Sequence, residues 1–247
     1  IGCKKNNIKF ISSPFDISSI RFLKKLNLDY IKIPSGEIDN YPYLKEIAFL
    51  KKKTILSTGM STLNEIRFAL KTLLKFGLTK NKISILHCHT DYPSNVKDLN
   101  LNSIITIKKI FRLCTGYSDH SMGITAPIAA AALGSEIIEK HLTLDRKLSG
   151  PDHKASINPR EFAQMVISVR HVEKMLGNGK KIPSKSELRN KLLVRKSIVA
   201  SKKIFRGDKF TNFNITTKRP AKGKSPKLYA NILGKISKRN YEKDEFI

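Results

Sequence analysis

The chain of 247 residues is 40% hydrophobic and carries a formal net charge of +27 at pH 7. A chain of this length can bury a substantial core, and its composition excludes a disordered protein. No apolar run reaches the roughly 20 residues of a membrane-spanning helix, and the first residues contain no signal-peptide core, so we expect no membrane partner.

The excess of basic residues leaves two interpretations open. A basic surface can bind the phosphates of nucleic acid, but lysine can also cover solvated faces as a compositional bias. The lysines run from Lys4 to Lys243 without interleaved aromatic residues or a nucleic-acid-binding signature. This even spread favours the second interpretation and predicts no specific nucleic-acid partner.

Six short apolar runs predict strands that are buried on both faces. They are Ile8–Ile11, Tyr30–Ile33, Thr54–Ser57, Ile83–His87, Cys114–Ser118 and Ile137–His141. Helical segments fill the gaps, and two of them begin with capping signals, at Thr62 and at Asn158. This alternation predicts right-handed β/α units around a parallel sheet, either open and doubly wound or closed into a barrel.

Two observations favour the barrel. No G-x-G-x-x-G motif follows a predicted strand, which argues against a dinucleotide-binding open sheet. Polar residues follow nearly every predicted strand, and a barrel builds its active site at the carboxyl ends of its strands. We therefore favour a barrel-type domain over residues 1–180.

The pattern changes after residue 180. Residues 181–194 are predicted to be a linker, and residues 195–247 a small β-rich domain with strands at Ser197–Ala200 and Asn214–Thr217. A domain of this size is marginally stable alone, so we expect it to dock on another surface.

The three cysteines, Cys3, Cys88 and Cys114, form no disulfide framework and no metal-binding C-x-x-C spacing. This usage predicts a reducing compartment, the cytoplasm. Cys88 follows a predicted strand, where it either lines a pocket or is a small buried residue.

Two histidines, His120 and His141, close successive predicted strands. Strand ends of neighbouring parallel strands lie at one edge of a sheet, so the two imidazoles should converge. They are either ligands of a divalent metal ion or hydrogen-bonded core histidines. The groups around them suit an anion, namely those of Ser118, Asp119, Glu139 and Lys140.

Nine motifs, read in chain order, carry a family resemblance. They are Ser13-Pro14-Phe15-Asp16, Lys32-Ile33-Pro34-Ser35-Gly36-Glu37, Leu56-Ser57-Thr58-Gly59-Met60-Ser61, His87-Cys88-His89-Thr90-Asp91-Tyr92-Pro93, Asn100-Leu101, Gly116-Tyr117-Ser118-Asp119-His120, Glu139-Lys140-His141, Gly150-Pro151-Asp152-His153 and Lys218-Arg219-Pro220. Together they resemble the sialic acid synthases over essentially the whole chain. The N-acetylneuraminate and N,N'-diacetyllegionaminate synthases of bacteria are similar, and the choice between them stays open.

The resemblance implies a (β/α)8 TIM barrel followed by a small antifreeze-like (SAF) domain. In that family the Ser13 motif follows the third strand, so we expect a chain that lacks the first two β/α units of a longer natural protein. Such a barrel would leave two sheet edges exposed.

The implied reaction condenses phosphoenolpyruvate with an open-chain N-acyl mannosamine-type sugar and releases phosphate. The resemblance makes His120 and His141 ligands of Mn²⁺ or Mg²⁺, which would polarise the sugar aldehyde. It makes Glu37 a proton-handling group. The implied catalytic residues are therefore Glu37, His120 and His141.

The resemblance also implies a set of substrate-binding residues. The residues expected to bind phosphoenolpyruvate are Ser13, Lys32, Ser35, Ser57, Thr90 and Ser118, and those expected to bind the sugar are Tyr92, Asp152 and Arg219. Arg219 would reach into the barrel of a partner subunit, which implies a domain-swapped homodimer. Asp119 would orient His120.

Simpler interpretations remain for these residues. Each serine could satisfy local backbone in a turn, Asp119 could be an exposed turn residue, and Arg219 an ordinary surface arginine. A second functional class also stays open: a truncated, non-catalytic remnant that acts as a binding or assembly module through its basic SAF domain.

Overall fold

The computed structural model describes residues 2–247, which divide into two compact units between Asn178 and Gly179. The first unit is an α/β structure with a parallel sheet, and the second is smaller and contains an antiparallel pair of strands. This confirms the predicted α/β class with a parallel sheet and the presence of a separate small C-terminal unit.

The parallel sheet has five strands in the order of the chain. They are β1 (Tyr30–Ile33), β2 (Lys53–Ser57), β3 (Ile83–Cys88), β4 (Cys114–Asp119) and β5 (Ile138–Lys140). Each strand pairs in parallel with the next one along the chain. A doubly wound sheet reverses its strand order at one point, and this sheet does not.

Seven α-helices accompany the sheet within residues 2–178. They are α1 (Gly2–Lys5), α2 (Ile17–Lys25), α3 (Tyr41–Phe49), α4 (Leu63–Lys75), α5 (Asn102–Phe111), α6 (Thr125–Ala132) and α7 (Pro159–Leu176). Both predicted helix starts are present as capping boxes, with Thr62 accepting from the Glu65 N–H and Asn158 from the Glu161 N–H. The local start signals therefore place α4 and α7 correctly.

The predicted strand Ile8–Ile11 is wrong. Its segment touches the sheet through one bridge, in which the Lys32 N–H donates to the Ser12 carbonyl at 3.1 Å. The side chains of Ile8 and Phe10 are at least half exposed. An apolar run becomes a strand only where its backbone groups are hydrogen-bonded to a neighbouring strand along its length. Here the one residue bonded to the sheet is Ser12, which directly follows the run.

The main core lies between the sheet and helices α2 to α4. Alternate residues of β1 to β3 face the helices, and they include Ile31, Ile33, Leu56 and Ile85, all nearly inaccessible to solvent. The intervening residues of the strands face the other side of the sheet. That side carries the polar residues of the predicted site.

The second unit begins with a helix. Helix α8 (Lys185–Val194) occupies most of the segment predicted as a linker. Strands β6 (Ser197–Ala200) and β7 (Ile215–Lys218) pair antiparallel, and α9 (Tyr229–Ile232) packs on the same small core. Strand β7 is displaced by one residue from its predicted range.

Within residues 2–247 no helix combines the length and the apolar character that crossing a bilayer requires.

Gly116 of β4 provides a test of the packing between β4 and β5. A Cβ atom there would lie 2.5 Å from the Ile137 carbonyl oxygen and 2.5 Å from Leu86 Cδ2. We expect Gly116→Ala to lower the free energy of unfolding by about 2 kcal/mol, since the backbone must shift to accept the methyl group. Urea denaturation followed by circular dichroism measures this change.

The matched control is Gly36→Ala, because a Cβ atom there meets nothing within 4 Å. A loss of stability at Gly116 no larger than that at Gly36 would contradict the packing described for β4.

Candidate active site

An ion pair joins the two outermost strands of the parallel sheet. Lys32 Nζ of β1 lies 3.2 Å from Glu139 Oε1 of β5. In a flat sheet, four strand intervals would separate these backbones by about 19 Å. The sheet therefore curves strongly, and Lys32 and Glu139 meet across its concave face.

Ser118 takes part in the same contact. Its Oγ donates a hydrogen bond of 2.7 Å to Glu139 Oε1, the oxygen that also faces Lys32. Ser118 and Glu139 are paired in register on β4 and β5. One ammonium and one hydroxyl thus converge on a single carboxylate oxygen.

Ser35 and Ser57 lie at the carboxyl ends of β1 and β2. Ser35 Oγ accepts a hydrogen bond from the Gly59 N–H at 2.9 Å. Ser57 is 2% exposed, and its Oγ has no hydrogen-bond partner among residues 2–247. Buried hydroxyls are nearly always hydrogen-bonded, so the Ser57 hydroxyl is available to a ligand or a water molecule.

Gly59 brings the loops after β1, β2 and β3 together. A Cβ atom at Gly59 would lie 2.4 Å from Thr90 Cγ2, 3.0 Å from Ser35 Oγ and 3.2 Å from Cys88 Sγ. Only glycine leaves room for this approach. Thr90, Ser35 and the buried Cys88 therefore line one small region.

Three aromatic rings pack beside this region. The ring centroids of His120 and His141 are 5.4 Å apart, and Tyr92 lies 4.1 Å from the first and 5.5 Å from the second. The predicted convergence of the two imidazoles is therefore present in the structure.

The tautomer of His120 follows from its partner. Its Nδ1 faces the carbonyl oxygen of His89. A carbonyl only accepts, so Nδ1 carries the proton and Nε2 presents its lone pair. Nε2 lies 3.4 Å from Ser118 Oγ, on the side of the concave face.

Burial lowers the pKa of His120, and the neighbouring His141 lowers it further. The same desolvation lowers the pKa of His87, whose Nε2 donates to the Leu99 carbonyl at 2.8 Å. Burial therefore favours the neutral form of both imidazoles, and for His120 this is the form in which a histidine binds a metal ion.

The structure corrects the expected role of Asp119. Its carboxylate is not exposed and is not bonded to the His120 ring, whose Nδ1 faces the His89 carbonyl. It binds Lys140 Nζ at 2.5 Å, and both side chains are fully buried. Lys140 is therefore committed to Asp119 and is not available to an anion. Sequence spacing alone did not reveal this pair because it depends on the register between β4 and β5.

Four predicted site residues lie at the edges of this cluster or away from it. Ser13 is half-buried, and the Glu37 carboxylate accepts a hydrogen bond of 2.6 Å from Asn40. Asp152 Oδ2 lies 3.8 Å from His141 Nδ1. Arg219 is exposed on the second unit.

Glu139 lies in this cluster, in contact with Lys32 and Ser118, although the sequence prediction left it out of its substrate-binding set. A signal was available: Glu139 lies two residues before His141, and alternate residues of a strand share a face.

Residues 2–181 match the NeuB family, and residues 195–247 match the SAF domain. The chain belongs to the NeuB family. The predicted resemblance to the sialic acid synthases is thereby confirmed.

Named relatives agree with this assignment. The chain is 51% identical over 247 residues to the N,N'-diacetyllegionaminic acid synthase of Campylobacter jejuni, covering 100% of this chain and 74% of that protein. It is 35% identical over 244 residues to the human N-acetylneuraminate-9-phosphate synthase, covering 97% of this chain and 67% of that protein.

A solved structure shares the fold. The sialic acid synthetase of Leptospira borgpetersenii, crystallised with citrate, is 39% identical with a TM-score of 0.71. The match covers 76% of this chain and 65% of the Leptospira chain.

The buried histidines predict a pH dependence of stability. Since burial lowers the pKa of His87 and of His120, the unfolded chain binds more protons than the folded one as the pH falls through about 6.5. The free energy of unfolding contributed by these histidines should therefore be fully present above that pH and should decrease as the pH falls below it. The variant His87→Gln, which can still donate to Leu99, should lose less stability on this acidification.

Urea midpoints at several pH values measure this slope. The same substitution at exposed His171 on α7 is the control and should leave the slope as in the parent chain. Equal slopes for the His87 variant and the parent would contradict the assignment.

Proposed function

We propose that this protein joins phosphoenolpyruvate to an open-chain N-acyl mannosamine-type sugar and releases phosphate, forming a nonulosonic acid. The supporting observation is the convergence of Lys32 and Ser118 on the Glu139 carboxylate at 3.2 and 2.7 Å. An ammonium and a hydroxyl that together bind a carboxylate can also bind the anionic groups of phosphoenolpyruvate.

The cradle for phosphoenolpyruvate extends from this point along the concave face. Lys32 supplies positive charge, and Ser118 and Ser35 supply hydroxyls. The unpaired, buried Ser57 hydroxyl gains a partner when the substrate binds. Ser13 and Thr90 complete the cradle at the ends of neighbouring strands.

The donor set at the ring cluster fits a divalent cation. His120 presents Nε2 while its Nδ1 is held by the His89 carbonyl, which is how metal-binding imidazoles are commonly oriented. No group of three or more His, Cys, Asp or Glu within residues 2–247 is arranged around one cation position. The protein would hold Mn²⁺ or Mg²⁺ through His120 and His141 alone, with substrate and water as the other ligands. When bound, the ion supplies Lewis-acid polarisation of the sugar aldehyde.

The remaining residues bind the sugar and move protons. Carbon 3 of phosphoenolpyruvate attacks the aldehyde, water adds at carbon 2, and the adduct loses phosphate. Glu37 handles the proton near carbon 2, and Tyr92 and Asp152 contact the sugar beside His141. Arg219 of a partner subunit's small domain holds the N-acyl group, which makes the active unit a domain-swapped homodimer.

The curved sheet is proposed to be part of a (β/α)8 barrel. Its consecutive strand order and the Lys32–Glu139 contact across the concave face support this architecture. For the product we propose N,N'-diacetyllegionaminic acid, since relatives with that name are 51% and 41% identical, whereas the pseudaminic acid synthases are 38% and 37% identical. The non-catalytic alternative is not favoured, because the named relatives are synthases.

The reaction itself is the first test. Phosphate release from phosphoenolpyruvate should require a sugar, should be faster with the 2,4-diacetamido sugar than with N-acetylmannosamine, and should require added Mn²⁺ or Mg²⁺. The measurement is inorganic phosphate release by the purified protein, with and without EDTA. Absence of sugar-dependent release would contradict the proposal.

Ser57 tests the position of the cradle. Since its Oγ has no protein partner, Ser57→Ala should leave folding intact, but it removes a hydrogen bond to a charged substrate. We expect the KM for phosphoenolpyruvate to rise about tenfold, while the KM for the sugar changes little. Ser168→Ala on α7 is the matched control. An equal KM for phosphoenolpyruvate in the two variants would count against the proposed cradle.

A further inference from the structure

A buried ion pair joins the ends of β4 and β5, the strands that directly precede His120 and His141. Asp119 ends β4 and Lys140 ends β5, and the two residues face each other in register. Their side chains are 2.5 Å apart and fully buried. The desolvation of such a pair offsets most of its attraction, so net stability alone does not account for it.

The pair holds the backbone on both sides of His120. Asp119 Oδ1 accepts hydrogen bonds from the Tyr117 hydroxyl at 3.1 Å and from the Ser121 N–H at 3.0 Å. The Lys140 ammonium donates to the Ser121 carbonyl. The residues directly before and after His120 are therefore tied to β5.

Side-chain alternation places this pair between two contacts of the site. Ser118 and Glu139 meet on the concave face, and His120 and His141 return to that face two residues later. Asp119 lies between Ser118 and His120 in sequence, and Lys140 lies between Glu139 and His141. The ion pair is therefore on the opposite face of the sheet. A shift of one residue between β4 and β5 would place one histidine on the wrong face.

We propose that Asp119 and Lys140 are a positioning pair, which holds His120 and His141 at the spacing at which both bind one divalent cation. This inference rests on the proposed function.

The test is the double variant Asp119→Asn, Lys140→Met in the full chain, which removes both charges and leaves neither unpaired in the core. In its crystal structure the distance between the two ring centroids, 5.4 Å in the parent, should change by more than about 1 Å. The Kd for Mn²⁺, measured from the electron paramagnetic resonance of the free ion, should rise about tenfold to a hundredfold. Pulsed spectra should show fewer imidazole nitrogens coupled to Mn²⁺ than in the parent.

The control removes an ion pair outside the site. Lys108 and Glu136 lie 3.0 Å apart and are partly exposed, so the double variant Lys108→Met, Glu136→Gln should keep the ring spacing and the Mn²⁺ affinity. The proposal is wrong if the Asp119→Asn, Lys140→Met variant also keeps the ring spacing and the Mn²⁺ affinity of the parent. If the parent binds no Mn²⁺ through nitrogen, the metal role in the proposed function fails, and the ring spacing decides the positioning role.

A milder variant covers the case in which the double variant does not fold. Tyr117→Phe keeps the buried ring and removes one hydrogen bond to Asp119. It should weaken Mn²⁺ binding about fivefold. An unchanged affinity would count against the proposal.

Discussion

The contact between Lys32 and Glu139 is the constraint on which the rest of the site depends. It requires the first and last strands of a five-stranded sheet to face each other, so the sheet must curve. Curvature in turn directs alternate residues of every strand into one concave space. The serines and the two histidines converge because the sheet bends, although they are distant from one another in the sequence.

Most of the sheet could be predicted from the sequence because its signals are local. Buried strands appear as short apolar runs, and capping boxes mark the starts of α4 and α7. The segment Ile8–Ile11 has the same apolar signal, but pairing is not local, and its backbone meets the sheet at one bridge. Helix α8 had a usable signal in its Ser184–Glu187 capping box, which the basic, turn-rich composition of the segment obscured.

The candidate site likewise has features that the sequence predicts and features that depend on the folded structure. The convergence of His120 and His141 follows from strand-end positions, and the structure brings their rings to 5.4 Å. The partner of Asp119 could not be read from its neighbours in sequence, since the choice between His120 and Lys140 depends on the register of β4 and β5. The unpaired hydroxyl of Ser57 is likewise a property of the folded surroundings, because any serine near a turn can find a backbone partner.

The Glu139 carboxylate has a further consequence for the energetics of the site. It gives Lys32 and Ser118 a partner before any substrate arrives, so the folded chain does not keep a partly buried ammonium without a counterion. In the proposed function, an incoming anion would displace the Glu139 carboxylate from Lys32 and Ser118. Its affinity would then measure the difference between two anionic partners and not the full strength of either. Glu139 would in this way preorganise the cradle and limit how tightly the cradle holds its substrate.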